Sequence, residues 1–252
     1  MPTELLQQKI AAAIASFNRG SHEQAEALSL QALAFKEPSD LGDHWAAEAF
    51  GNLGMAFMSV AKFSTAELCL QRCINVLECD KEIHPSTLAQ LISNRASCFL
   101  AENKFAEALP LCEKAWGVAE LAGKSSDEQR PVFLSNLASA YYKLNRVREA
   151  ECYYKLAVEA AETIWGDHEL VAVTQNNLAN CCRDQDKYDQ AVELYNLSIA
   201  YFTDNGGASP DLAFALNSYA DCLRKMGNEP EQLAKITAKL AEVEEELELL
   251  AD

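Results

Sequence analysis

Cys69, Cys73, Cys79 and His84 fall in one short stretch, and thiolate plus imidazole is the ligand chemistry of zinc. Three, five and four residues separate them, so the paired-cysteine knuckle of a structural zinc site is missing. Cys73 also falls where a small buried residue is expected, so these thiols read as core packing. Cys181 and Cys182 are adjacent in a helical stretch, which disfavours an unstrained disulfide. His22, His44, His84 and His168 sit near turns in separate segments. None shares a segment with a serine and aspartate, or with a cysteine, at a spacing suited to nucleophilic catalysis. No phosphate-binding glycine loop of the Walker or dinucleotide type occurs. The expectation is a protein without catalytic activity, metal or cofactor.

A second set of residues has the chemistry of holding rather than reacting. Arg183 and Arg224 stand 41 residues apart, as do Asn176 and Asn217. Tyr142, Lys143, Asn180 and Lys225 fall in the same rows, with Asp184 and Asp221 as countercharges. Arginine offers a fork of donors to a carboxylate. An asparagine amide supplies both a donor and an acceptor, so it can grip a peptide group without reading its side chain. Four cations against two carboxylates make a locally positive strip on a chain of net charge -17. Such a strip would attract a partner bearing carboxylates. These residues can act together only if positions about 41 apart become neighbours.

The chain has the period that this requires. A small residue recurs at Ala13, Gly54, Ala96, Ala138, Ala179 and Ala220, at spacings of 41 or 42. A second small column follows twelve residues later at Ala25, Ala66, Ala108, Ala150 and Ala191, each preceded at three residues by a bulky side chain or histidine. A short polar break separates the two columns in every copy. The spacing predicts a helix of about fourteen residues, a tight turn and a longer helix, repeated about six times. Small side chains at both columns let the two helices approach closely. Pro85, Pro131 and Pro210 are placed to start helices, where a missing N–H costs nothing. With 49% hydrophobic residues and few glycines and prolines, the chain can bury the core this needs. The predicted fold is all-α, a right-handed α-solenoid (superhelix) closed by a C-terminal capping helix. It forms a single domain over 1–252, with repeats near 3–37, 45–79, 86–122, 130–165, 170–204 and 211–250.

Three stretches carry a family resemblance: "AEAFGNLGMAFMSVAKFSTAELCLQRCINVL", "FLSNLASAYYKLNRVREAECYYKLAVEAAETIWGDHEL" and "VAVTQNNLANCCRDQDKYDQAVELYNLSIAY". They resemble tetratricopeptide repeats, in particular the long repeats, about 42 residues each, of kinesin light chains. The heptad segment that joins kinesin light chains to their heavy chain is not found here. Arg95 stands where the pattern usually has leucine, which sets a question about local packing. The resemblance implies that the first helices of successive hairpins line a concave groove for a peptide of a partner protein. In kinesin light chains such peptides carry an aromatic residue among acidic ones. Asn176, Asn180, Arg183 and Asn217 are the positions carried over on that basis.

Helical spacing extends the groove face to Tyr142, Lys143, Arg224 and Lys225, and in the N-terminal half to Phe17, Met55, Met58 and Leu100. The companion of Asn176, Asn177, shares a column with Asn52, Asn94 and Asn136, where an amide is expected to bond backbone between hairpins. The expected function is a scaffold whose groove binds a partner segment with apolar and acidic residues; self-assembly is the alternative. The tail places Leu233, Ile236, Leu240, Val243, Leu247 and Leu250 at alternating steps of three and four. It reads as a cap laid over the last hairpin, and a weak homodimeric coiled coil is its other use. The strong negative charge disfavours nucleic acid and anionic membrane surfaces. No apolar run is long enough for membrane insertion, the opening residues lack a secretory leader, and unpaired cysteines suit a reducing compartment. The expected location is cytoplasmic.

Overall fold

The computed structural model describes residues 2–35, 44–78 and 83–251. Cys79 lies outside them. Among the described residues twelve α-helices pair into six hairpins. They are α1 (Pro2–Asn18) with α2 (His22–Leu33), α3 (His44–Ser59) with α4 (Phe63–Leu77), and α5 (Pro85–Ala101) with α6 (Phe105–Ala122). The second three are α7 (Arg130–Lys143) with α8 (Val147–Trp165), α9 (Glu169–Arg183) with α10 (Tyr188–Asn205), and α11 (Pro210–Met226) with α12 (Pro230–Ala251). Packing groups them into two compact units, Met1–Asp127 and Glu128–Asp252. The stretch after α6 is a 3-10 helix from Gly123 to Gln129.

The first five hairpins turn in the same way: the first helix ends, one residue adopts a left-handed conformation, and the next residue caps the second helix. In the sixth the left-handed Gly227 closes α11 and α12 begins at Pro230. The left-handed residues are Gly20, Ala61, Asn103, Asn145, Asp186 and Gly227, with φ between 57° and 77°. All six lie seven residues after the first small column. In the second hairpin Lys62 N–H donates to Phe57 C=O at 2.9 Å and Ala61 N–H to Met58 C=O at 3.1 Å; the turns after α1, α5, α7 and α9 repeat this pairing. It satisfies carbonyls that the helix end would leave open. Glycine, asparagine and aspartate tolerate the left-handed region, whereas alanine there is strained.

The small columns have the role that spacing assigned them. Ala13, Ala96, Ala138, Ala179 and Ala220, and all five alanines of the second column, are buried without exposure. At Gly54 even a methyl group would lie 2.7 Å from Leu70 Cγ. Around these contacts the first unit packs Ile10, Phe50, Leu53, Phe57 and Leu70, and the second packs Leu134, Leu137, Tyr154, Tyr195, Leu216 and Tyr219.

Hairpins are also tied to their neighbours by a repeated ion pair. The glutamate after the second small column meets the lysine that precedes the second helix of the next hairpin. In the first unit Lys62 Nζ donates to Glu26 at 2.5 Å; in the second Lys187 Nζ donates to Glu151 at 2.6 Å. Glu151 also accepts from Lys155 Nζ at 2.6 Å and Gln185 Nε2 at 2.7 Å, with its side chain only 8% exposed. Burial alone would raise the Glu151 carboxyl, but its three donors outweigh burial and hold it at about 2. Arg95 replaces a leucine without leaving a charge unpaired: it donates to Glu67 at 2.7 Å and covers the Phe99 ring at 5.7 Å.

In the last hairpin α12 turns its stripe onto α11. Ile236 and Val243 are buried, Leu233, Leu240 and Leu247 are half-buried, and Leu250 is exposed. Lys239 Nζ reaches Thr203 on α10 at 2.9 Å. The stripe is thus largely spent within the hairpin stack, as a cap requires.

Two outcomes are expected. Ala61→Gly should stabilise the chain by about 0.5–1 kcal/mol in denaturant unfolding, because relief of the left-handed strain exceeds the entropy that glycine adds to the unfolded chain. Glu151 has a folded pKa below its ordinary 4.5, so its stabilisation is complete above about pH 5 and disappears as pH falls toward 2. Glu151→Gln should flatten that acid limb by on the order of 2 kcal/mol, measured by unfolding at stepped pH.

Candidate functional site

In the second unit α7 touches α9 and α9 touches α11, so the first helices of three hairpins lie side by side. Their last turns carry Lys143, Arg183, and Arg224 with Lys225. A cation there is favoured by the negative end of the helix dipole. The three helices meet at one carboxylate. Asp184 Oδ1 accepts from Arg183 Nε at 2.9 Å and from Lys225 Nζ at 3.1 Å. Its Oδ2 accepts from Tyr142 Oη at 2.6 Å and from an Arg183 guanidinium N–H at 3.3 Å. Arg183 also donates to Tyr142 Oη at 3.3 Å. Burial pushes the Asp184 carboxyl up, but the bonds from Arg183, Tyr142 and Lys225 outweigh it and hold the group at about 2. Burial, then the neighbouring Asp184 carboxylate, raises the Tyr142 phenol, so it stays a proton donor.

The structure thus brings together Tyr142, Arg183 and Lys225. It places the other predicted residues differently. Asn176 is 2% exposed and Asn180 6%, because α9 is packed against α8, its own partner α10, and the flanking first helices α7 and α11. Asn180 Oδ1 accepts from Tyr195 Oη at 2.8 Å, so this amide clamps α9 to α10 and is not open to a ligand. Ser139 bonds Tyr154 in the preceding hairpin at the same register. A polar residue fifteen positions before a tyrosine, in both Ser139–Tyr154 and Asn180–Tyr195, is the signal that marks the clamp. Asn176 Oδ1 has no hydrogen-bond partner among the described residues. Asn217 is exposed on α11, with exposed Phe214 one turn before it. Arg224 pairs with Asp221 at 2.5 Å, and Lys143 is exposed.

In the first unit Met55 is 45% exposed and receives the Asn94 amide at its Sδ at 2.8 Å, which replaces the backbone bond expected of that column. Met58 and Phe17 are partly buried and pack against the core, Phe17 edge-on to Phe57. Trp45 on α3, which helical spacing did not single out, is exposed. Among the described residues no three His, Cys, Asp or Glu side chains converge on a metal position. Seven of the described cysteines are buried, and Cys152 is exposed; all eight are free thiols. No described helix is long and apolar enough to cross a membrane.

A stack of helical hairpins whose first helices share a polar face is the architecture of a repeat scaffold. Residues 133–168 and 166–231 match family models of the tetratricopeptide repeat. Residues 133–231 are thus tetratricopeptide repeats, and the hairpins of the chain resemble in fold those of a putative kinesin light chain. No curated protein matches the chain by sequence. Among solved structures, BtubC (BKLC) from P. vanneervenii is similar at TM-score 0.70 and 17% identity, covering 96% of this chain and 92% of that one. A putative kinesin light chain from Podosopora anserina, with nearly identical TPR-like repeats, gives TM-score 0.65 and 16% identity over 82% and 99%. A Rap protein complexed with Competence and Sporulation Factor gives TM-score 0.56 and 15% identity over 95% and 76%. At these identities the likeness is one of fold.

Tyr142→Phe removes the shortest donor to Asp184, so that carboxyl is expected to rise by about one pH unit in a carboxyl-carbon NMR titration.

Proposed function

We propose that this protein is a scaffold and that the face shared by α7, α9 and α11 holds a segment of a partner protein. The observation that carries the reading is the cluster of Tyr142, Arg183 and Lys225, which supplies hydrogen-bond donors and two cations on a chain of net charge -17. A fold set only by core packing has no need to gather donors from three hairpins at one exposed edge. On α11, Phe214, Asn217, Asp221, Arg224 and Lys225 follow one another on a single helical face. An aromatic contact, an open amide and a basic end therefore lie in line. A segment carrying apolar and acidic residues matches that sequence of groups. A Rap protein of similar fold, complexed with Competence and Sporulation Factor, fits the same kind of use. The free thiols agree with a cytoplasmic location.

The test is fluorescence anisotropy with a labelled, capped peptide of four glutamates around one tryptophan. The double variant Arg183→Gln and Lys225→Glu is expected to weaken binding at least tenfold. Unchanged affinity would remove this face as the binding site.

A further inference from the structure

The cations of the α7–α9–α11 face already hold a carboxylate, and it belongs to the protein. Asp184 takes donors from three helices, the arrangement a receptor presents to a ligand's carboxylate. Two features set it apart from ordinary surface pairing. It caps the C-terminus of α9, where the helix dipole disfavours negative charge. It also interrupts a column: the equivalent positions in successive hairpins are Asn18, Ser59, Ala101, Lys143, Asp184 and Lys225. The one acid in that column stands between its two cations. Its side chain is 24% exposed, so it can swing out without unpacking the hairpin.

We propose that Asp184 is a built-in competitor for the ligand's carboxylate: Tyr142, Arg183 and Lys225 accept an acidic segment only as Asp184 gives way. This deepens the peptide-holding reading and rests on it. Two ionised carboxylates repel one another at hydrogen-bond distance, and Asp184 already takes a donor from each of Tyr142, Arg183 and Lys225. Asp184 is covalently tethered and competes at high effective concentration. A lone ligand carboxylate therefore loses the exchange. A segment with several acidic residues and an apolar anchor wins, because its other contacts offset the displacement. Asp184 thus selects for clustered acids and rejects isolated ones.

The test uses two capped peptides of equal length around one tryptophan, one with a single glutamate and one with four. Wild type should bind the four-glutamate peptide and hold the single-glutamate peptide weakly. Asp184→Asn, which keeps the side-chain shape, should tighten both by at least fivefold. It should also steepen the salt dependence of binding, since the cluster gains one net positive charge. Asp184→Ser, which withdraws the competing group entirely, should do the same, with folding of each variant checked by circular dichroism. Suppose the four-glutamate peptide binds wild type and is lost in Lys225→Glu, yet neither Asp184 variant tightens it. The competitor role is then overturned while the binding face stands. Failure of that peptide to bind any folded form overturns both.

Discussion

Each hairpin depends on a chain reversal of three or four residues that brings two helices into backbone contact. The reversal needs one residue in the left-handed region, and the contact needs a side chain no larger than a methyl on either side of it. Gly20, Asn103, Asn145, Asp186 and Gly227 meet the first condition at little steric cost, and Ala61 meets it under strain. The fully buried alanine columns and Gly54 meet the second. Once the turn is set, the second helix has no freedom to choose another face. Its apolar stripe must meet the first helix, and the remaining apolar surface must meet the next hairpin.

That geometry decides what the polar residues can do. A helix flanked on both sides by first helices and backed by its own partner has little open surface, and α9 is such a helix. Its amides fall inside, so Asn180 is engaged by Tyr195. Only the helix ends project beyond the packing. Arg183, Lys225 and Tyr142 sit in those last turns, which is why the chemistry of the face gathers there. The same positions suit cations through the helix dipole, so the basic character costs the fold little. Asp184 gains no such help; its carboxylate is held by hydrogen bonds from Arg183, Tyr142 and Lys225 and by the charges of Arg183 and Lys225.

Between hairpins, stability and register are set by charge as well as by packing. Glu26 with Lys62 and Glu151 with Lys187 occupy equivalent places in the two units. A glutamate buried to this degree is unfavourable unless every oxygen is satisfied, and Glu151 meets that condition with three donors. Replacing a leucine by Arg95 is tolerated for the same reason, since Glu67 and Phe99 take up its charge.

The period of 41 or 42 residues, the small columns and the helix-starting prolines were legible in the sequence, because close helix approach and chain reversal each restrict a position to a few residue types. Those restrictions repeat at a fixed interval and so identify the hairpin and its family. The left-handed column, a run of Gly, Ala, Asn, Asn, Asp and Gly seven residues beyond the first small column, stood out only once the turn geometry was seen. What an individual polar residue does was not legible either. Asn176, Asn180 and Asn217 have the same type on the same nominal face, yet one lies unpartnered in the interior, one clamps a tyrosine and one is exposed. Met55 and Met58 divide in the same way between surface and core. Helical spacing assigns a direction to a side chain but not the distance to the neighbour it meets, and that distance depends on packing against residues some forty positions away. Asp184, which sequence reads as a countercharge, becomes the meeting point of three helices only when the hairpins stack.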